Sequence, residues 1–509
     1  MNRRIVARLL SNILLIELIA MLPPLGISLY QQEWESVRGF LYTIAIIVAT
    51  AGLLRLIRPK SKNFYAAEGF ATTALAWIVI SVFGALPFWF SGAIPNLVDC
   101  LFETVSGFTT TGASILSDVE VLPMGLLYWR SFTHWLGGMG VLVFLLAVTT
   151  MEKGEGYSLF LLKAESPGPM VGKLTPTVRQ SAKLLYIIYV ALSLLEVIFL
   201  IAGGMPLFDS LCTMFGTAGT GGFSIKNASM AAYPGYYLQT VVTVFMILFG
   251  TNFNIFFLLL LREYKQVWKD EELRVYLGIL VGSTLLISLN TLNHYGNFRD
   301  SLHQAAFQVA SIMTTTGFAT SNFDAWPELS RSIMVLLMMF GACAGSTGGG
   351  IKISRMVIAF KSVRKEISRM LHPRAVRSVQ MNGKVLDNSV TKGVSVFMTV
   401  YFATIAVSFL IVSLDNMSMV TNITSVLSCV NNIGPGLDLV GPNGNFSIFS
   451  NLSKLVLSAN MLLGRLEFFP LLILLTPSTW RKKRVGGITA KERIANAGNR
   501  ERTGSRSER

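Results

Sequence analysis

Charge is what this sequence has least of. Only 14% of its 509 residues are Asp, Glu, Lys or Arg, against roughly 25% in a soluble globular chain. With 52% hydrophobic residues and a mean hydropathy of +0.55, the chain cannot cover itself in water, which excludes a soluble protein. Cysteine is scarce too. Cys100, Cys212, Cys343 and Cys429 lie far apart with no CxxC or CxxH spacing, so neither a disulfide framework nor a thiolate metal site is expected. They read as free thiols in apolar surroundings. The four histidines, His134, His294, His303 and His372, are scattered. There is no HExxH, no Ser–His–Asp spacing and no pair of carboxylates facing one site. The chain is expected not to be an enzyme.

What is present is a series of long apolar runs. A membrane-spanning helix needs about 20 mostly apolar residues. Ten candidate spans run 5–30, 39–57, 67–91, 123–150, 183–204, 236–261, 275–293, 331–358, 393–414 and 452–476. The net charge of +15 falls between these runs, so it reads as membrane anchoring rather than nucleic-acid binding. Arg3, Arg4 and Arg8, then Arg55 to Lys62, Arg262 to Arg274, Arg355 to Arg377 and Arg481 to Arg484 all fall on one side if there are ten spans. By the positive-inside rule both termini are expected in the cytoplasm.

Four segments between spans are too short or too polar to cross: 97–120, 206–230, 301–326 and 418–445. Each starts with a short apolar stretch and breaks at a Gly/Thr cluster. They align on one glycine. SGFTTTGAS reaches Gly112, GTAGTGGFS reaches Gly222, SIMTTTGFA reaches Gly317 and SCVNNIGPG reaches Gly434. Six residues before each glycine stands a small residue: Ser106, Gly216, Ser311 and Ser428. The glycines are 110, 95 and 117 residues apart, room for a span, a half-helix, a loop and another span. One such match would be weak; four in register with the spans form an internal repeat. The plainer alternative is that these glycines only turn outer loops.

The pattern suits a cation. An ion entering the bilayer must exchange its water for other oxygens, and rings of backbone carbonyls supply them. Glycine lets a loop turn its carbonyls inward at positive φ. A half-helix ending at the pore adds about half a negative charge there. The candidate ion-binding residues are Thr110, Thr111 and Gly112; Thr220, Gly221 and Gly222; Thr315, Thr316 and Gly317; and Asn432, Ile433 and Gly434. K+ is the expected ion at these residues, and no further cofactor is expected. The four loops differ in sequence, so fewer well-formed ion sites are expected than from four identical loops. Asp99, Glu103, Asp118, Glu120 and Asp324 lie near the outer mouth. They either concentrate cations by their field or are ordinary solvated charge.

The eighth span is interrupted by GACAGSTGGGIK. Gly345, Ser346, Thr347, Gly348, Gly349 and Gly350 do not propagate a helix cheaply, since each glycine costs about 1 kcal/mol against alanine. The break is expected beneath the third loop, as a gate or as a close-packing patch. No GK[ST] follows, so it is not a phosphate loop. Arg465 interrupts the last span, where an arginine is costly and faces a pathway or a partner. Its candidate partners are carbonyls freed by the glycine break, or Glu467. Glu196 is a second intramembrane charge, with no partner evident in the sequence.

These motifs resemble the TrkH/TrkG/KtrB family of potassium uptake proteins, and the two additional N-terminal spans resemble TrkH rather than the shorter KtrB. The resemblance covers residues 67–480. It implies an all-α polytopic membrane protein with four helix–pore-loop–helix repeats around one pore. The expected units are two N-terminal transmembrane helices (1–62), repeats at 63–150, 183–261, 275–372 and 390–480, and a basic disordered tail (485–509). It also implies a homodimer, a bacterial inner membrane, a gating loop at Gly345–Gly350 touched by Arg465, and a TrkA-like cytoplasmic ring that binds nucleotides. The fourth loop, NNIGPG, departs from the Thr-Gly pattern and is the quarter whose selectivity is least defined. The competing class is a secondary transporter of another monovalent cation or small solute. That class would favour paired or inverted repeats over four units running the same way.

Overall fold

The computed structural model describes residues 3–57, 66–138, 140, 178–374 and 377–477. The later part of the expected fourth span, residues 141–150, and the tail 485–509 lie outside the described residues. Among the described residues the fold is all-α apart from one hairpin, Gln380–Met381 with Lys384–Val385. Asn382 and Gly383 form its turn, both at positive φ (51° and 74°), as an Asn-Gly two-residue turn requires.

Six helical segments among the described residues are long and apolar enough to cross a membrane, and up to eight if each bent pair counts as one span. The chain is a multi-pass membrane protein. The first crossing, Arg3–Tyr30, breaks at Met21, before Pro23 and Pro24. Four short helices stand apart from these: Leu97–Phe108, Leu207–Gly219, Phe298–Met313 and Met419–Asn431. With 12 to 16 residues, they are about 18–24 Å long, short of the roughly 30 Å hydrocarbon core. Three carry a side-chain N-cap. Asn96 accepts from Val98 N (2.9 Å), Asn297 from Asp300 N (2.8 Å) and Ser418 from Thr421 N (3.1 Å). Asp99, Asp209 and Asp300 sit in first turns, where a negative charge meets the positive end of the helix.

The helices that follow the short ones are where sequence and structure part. The sixth and tenth spans, read as continuous, are sharply bent. Tyr236–Phe249 turns by 92° into Phe253–Leu260, and Asn451–Arg465 turns by 119° into Phe469–Leu475. At the first bend Asn252 caps the new helix by accepting from Asn254 N (2.9 Å). At the second, Glu467 and Phe468 take positive φ (52° and 68°) and Pro470 opens the next helix, where its missing N–H costs nothing. The eighth span breaks as the sequence predicts, between Glu328–Met339 and Ile353–Leu371. Bulky aromatic residues brace the short helices from behind. Phe108 packs edge-on against Trp129, whose indole N–H donates to the Gly84 carbonyl (3.0 Å).

Candidate functional site, a ring of four loops

Each short helix ends in the same way. In the first, Thr110 N–H donates to Gly107 O (3.1 Å) and Thr111 N–H to Ser106 O (2.9 Å). Thr110 itself is left-handed, at φ 55°. This is a Schellman termination. The same long bond recurs from Gly221 to Gly216 (2.8 Å), Thr316 to Ser311 (2.8 Å) and Ile433 to Ser428 (3.0 Å). The small residue six places before each glycine is therefore the residue whose carbonyl takes the loop's N–H. The left-handed residue is Thr220, Thr315 or Asn432 in the other loops (φ 54°, 60° and 55°). Threonine is β-branched and disfavoured there, at about 1–2 kcal/mol each.

Two residues on, Gly112, Gly222, Gly317 and Gly434 are also at positive φ, between 74° and 101°, while the residue between stays at negative φ. Alternating positive and negative φ turns successive N–H groups to one side of the strand and leaves the carbonyls on the other. The N–H side faces the short helix. The carbonyls of Thr110, Thr111 and Gly112, and of their counterparts in the other loops, accept no hydrogen bond from the described residues. The exception is Gly434 O, which takes the Ser428 hydroxyl (2.6 Å). Yet these loops are buried: Thr110, Thr111, Thr220, Thr315, Thr316, Asn432 and Ile433 are all 0% exposed. Buried carbonyls without a donor are rare.

The four loops close on one another. A Cβ on Gly112 would overlap the Gly221 carbonyl, one on Gly222 the Thr316 carbonyl and one on Gly317 the Ile433 carbonyl; one on Gly434 would crowd the Thr111 carbonyl at 2.8 Å. Each glycine thus faces the residue before the glycine of the next loop, and the fourth loop returns to the first. All twelve candidate ion-binding residues lie in this ring.

Side chains brace the ring in two ways. In the first and third loops the Thr109 and Thr111 hydroxyls, and the Thr314 and Thr316 hydroxyls, lie 2.8 Å apart. In the second loop glycines replace both threonines because His134 fills the space. A Cβ on Gly219 would strike its backbone and one on Gly221 its ring. His134 Nε2 accepts from Phe223 N (3.1 Å), so Nδ1–H donates to Gly107 O (2.7 Å). The imidazole ties the first short helix to the second loop. In the fourth loop Asn431 Nδ2 donates to Tyr401 Oη (2.9 Å), and Asn432 Nδ2 donates to Thr111 Oγ1 and Met461 O (both 2.9 Å). His134 and Tyr401 escaped the sequence reading. A lone histidine carries no spacing signal, but Gly219 and Gly221 marked the room made for it.

The glycine break folds against the underside of the third and fourth loops. Gly349 N donates to Thr315 Oγ1 (2.7 Å), and a Cβ on Gly349 would meet Asn431 O at 2.5 Å. Arg465 donates to Thr347 O (2.8 Å) and Gly137 O (2.7 Å). Lys352 Nζ donates to Gly348 O. Of the two sequence-based candidates for Arg465, the freed carbonyls are right. Glu467 pairs instead with Arg355, which also lies over the Phe397 ring. Gly345 N-terminal to this cluster faces the other way: its carbonyl accepts from Phe253 N (3.0 Å).

The acidic residues of the mouth have partners. Glu103 forms a buried pair with Arg130 (2.6 Å) and accepts from Ile115 N (2.9 Å). Asp99 pairs with Lys454 (2.7 Å) and Asp324 with Arg331 (3.0 Å). Asn227 donates to Asp118 (2.7 Å) and holds its carboxyl below the usual carboxylate range. The Ser418 and Thr421 hydroxyls do the same for Asp438. These groups therefore order loops first. Glu196 is fully buried in Val178–Ala202. All four cysteines are buried and unpaired.

Residues 36–482 match the family described as TrkH, cation transport protein. The Trk system potassium uptake protein TrkH of Salmonella typhimurium is 34% identical over 491 residues, 95% of this chain and all of that protein. The Trk system potassium uptake protein TrkG of Escherichia coli is 33% identical, over 94% of this chain and 99% of that one. The crystal structure of the potassium transporter TrkH from Vibrio parahaemolyticus superposes with a TM-score of 0.84 at 31% identity, covering 94% of this chain and all of that one. Alike in sequence and fold over nearly its whole length, this chain belongs to the TrkH family of cation transport proteins.

Proposed function

We propose that the protein takes up potassium ions across the bacterial inner membrane through the ring of four loops, with both termini in the cytoplasm. The observation that carries this reading is the set of buried loop carbonyls around a closed ring, all but Gly434 O without a donor among the described residues. A dehydrated monovalent cation is the partner that offsets their burial, helped by four helix C-termini aimed at one point. Thr110–Gly112, Thr220–Gly222, Thr315–Gly317 and Asn432–Gly434 form the filter. Residues 63–150, 183–261, 275–372 and 390–480 are the four repeats, and 1–62 the added N-terminal pair. The names of the relatives support potassium as the ion.

The Gly345–Gly350 loop is the gate. It stands under the ring, and Arg465 and Lys352 place two positive charges beside the path, a barrier to a cation. The chain works as a homodimer and a TrkA-like nucleotide-binding ring moves the gate from the Lys/Arg-rich cytoplasmic side; both follow from the family resemblance. The test is flux of K+ or Rb+ against Na+ into liposomes holding the purified protein. K+ and Rb+ uptake that Gly317→Ser alters supports the filter. Equal permeation by all small cations would sink potassium selectivity. Absence of flux even after deletion of 345–350 would sink conduction.

A further inference from the structure

We propose that Glu272 is the positioning residue of the glycine loop, holding both of its ends from one carboxylate oxygen. Oε1 accepts from Ala344 N (2.7 Å) and from Ser354 N (2.9 Å). The first N–H stands just before Gly345, and the second lies in the first turn of the helix Ile353–Leu371 that follows the loop. Glu272 is 3% exposed, so little water competes. Two backbone N–H groups converge on one oxygen, an arrangement suited to an ionised carboxylate, whose hydrogen bonds are about twice as strong as neutral ones. The helix Ile353–Leu371 needs such a group: its N-cap, Lys352, provides no side-chain bond. A carboxylate from another helix satisfies a first-turn N–H and meets the positive helix end.

The turn that carries Glu272 is itself tied down on both sides. Asp270 caps its helix through Leu273 N (2.9 Å) and accepts from Asn382 Nδ2 (2.8 Å). Asn382 Oδ1 accepts from Glu271 N (2.8 Å), and Glu271 pairs with Lys361. Three consecutive acidic residues thus reach the hairpin, the helix beyond the loop and the loop itself. The carboxylate fixes where the loop begins and ends, while Gly345–Gly350 between those points are held by separate bonds to Phe253, Arg465, Lys352 and Thr315. Without the clamp the seated loop is less stable and leaves the path more often.

This inference rests on the reading of the loop as a gate, and the experiment separates the two. Rb+ flux per reconstituted molecule and the K+/Na+ ratio are measured for Glu272→Ala, Glu272→Gln and a deletion of 345–350. The alanine variant is expected to raise flux about tenfold with the K+/Na+ ratio unchanged. Glutamine keeps an acceptor without the charge and should raise flux about threefold. General damage to the fold would lower flux or spoil the ratio instead. Wild-type flux in both variants, or in the glutamine variant where alanine does not assemble, overturns the role of Glu272 if the deletion raises flux. A deletion that leaves flux unchanged overturns the gate itself.

Discussion

The first and third loops of the ring brace themselves, whereas the second and fourth are braced by side chains from elsewhere. Thr109–Thr111 and Thr314–Thr316 each carry their own hydroxyl pair. Gly219–Gly221 lean on His134, and Asn431 leans on Tyr401. Since each loop neighbours the next in chain order, like loops stand opposite each other. The backbone is nearly fourfold; the side-chain support is twofold. Backbone termination, glycine position and left-handed residues are common to all four loops because each glycine must let a carbonyl of the next loop approach where a Cβ would stand. The bracing is free to differ because any rigid neighbour serves.

The largest expected effect ignores that difference. A methyl at Gly222 or Gly317 overlaps a carbonyl of the next loop, a cost of about 3 kcal/mol or more, or roughly a hundredfold in rate. Rb+ flux should fall by that factor for Gly222→Ala and Gly317→Ala alike; a self-braced loop that tolerates the methyl would break the common ring. His134→Ala comes next. It strands Phe223 N–H and Gly107 O, at about 1–3 kcal/mol each. Competition between Na+ and Rb+ should show discrimination reduced about tenfold, and the thermal midpoint in detergent should drop.

Smaller effects should follow from Thr316→Val, which deletes the hydroxyl contact with Thr314, and from Tyr401→Phe, which deletes the hydroxyl bonded to Asn431, each change costing about 1 kcal/mol. Selectivity should change by roughly fivefold or less, on opposite kinds of loop. A much larger loss in Thr316→Val would sharpen the contrast by showing that self-bracing leaves no second support. The smallest effect concerns Asp438, near the fourth loop. Its folded value lies below the usual carboxylate range, so its contribution is present above about pH 4 and lost as the pH falls through the folded value. Asp438→Asn should melt slightly lower at neutral pH and converge with the wild type as acid is added. A gap that widens in acid would contradict the hydrogen bonds to Ser418 and Thr421.

The ring was legible in the sequence because its demands are local. A glycine, a left-handed residue before it and a small residue six places back lie within one short window, four times over. The glycine break was legible for the same reason. The bends at 250–252 and 466–468 were not, since apolar runs on both sides carry the helical pattern across them and only Asn252 and Pro470 mark them. Partners distant in sequence were also hidden. Arg355 and Glu467 are 112 residues apart, and Glu467 sits two residues from Arg465. Glu272 carries no spacing signal in the sequence; only the fold brings Ala344 and Ser354 to it. The mouth acids read as a field or as solvated charge because the cations that pair with them lie on other segments.

The twofold support gives the ring an easy direction of deformation. Compression along the diagonal of the second and fourth loops, matched by widening along the other, turns a circular aperture into an ellipse without breaking either hydroxyl pair.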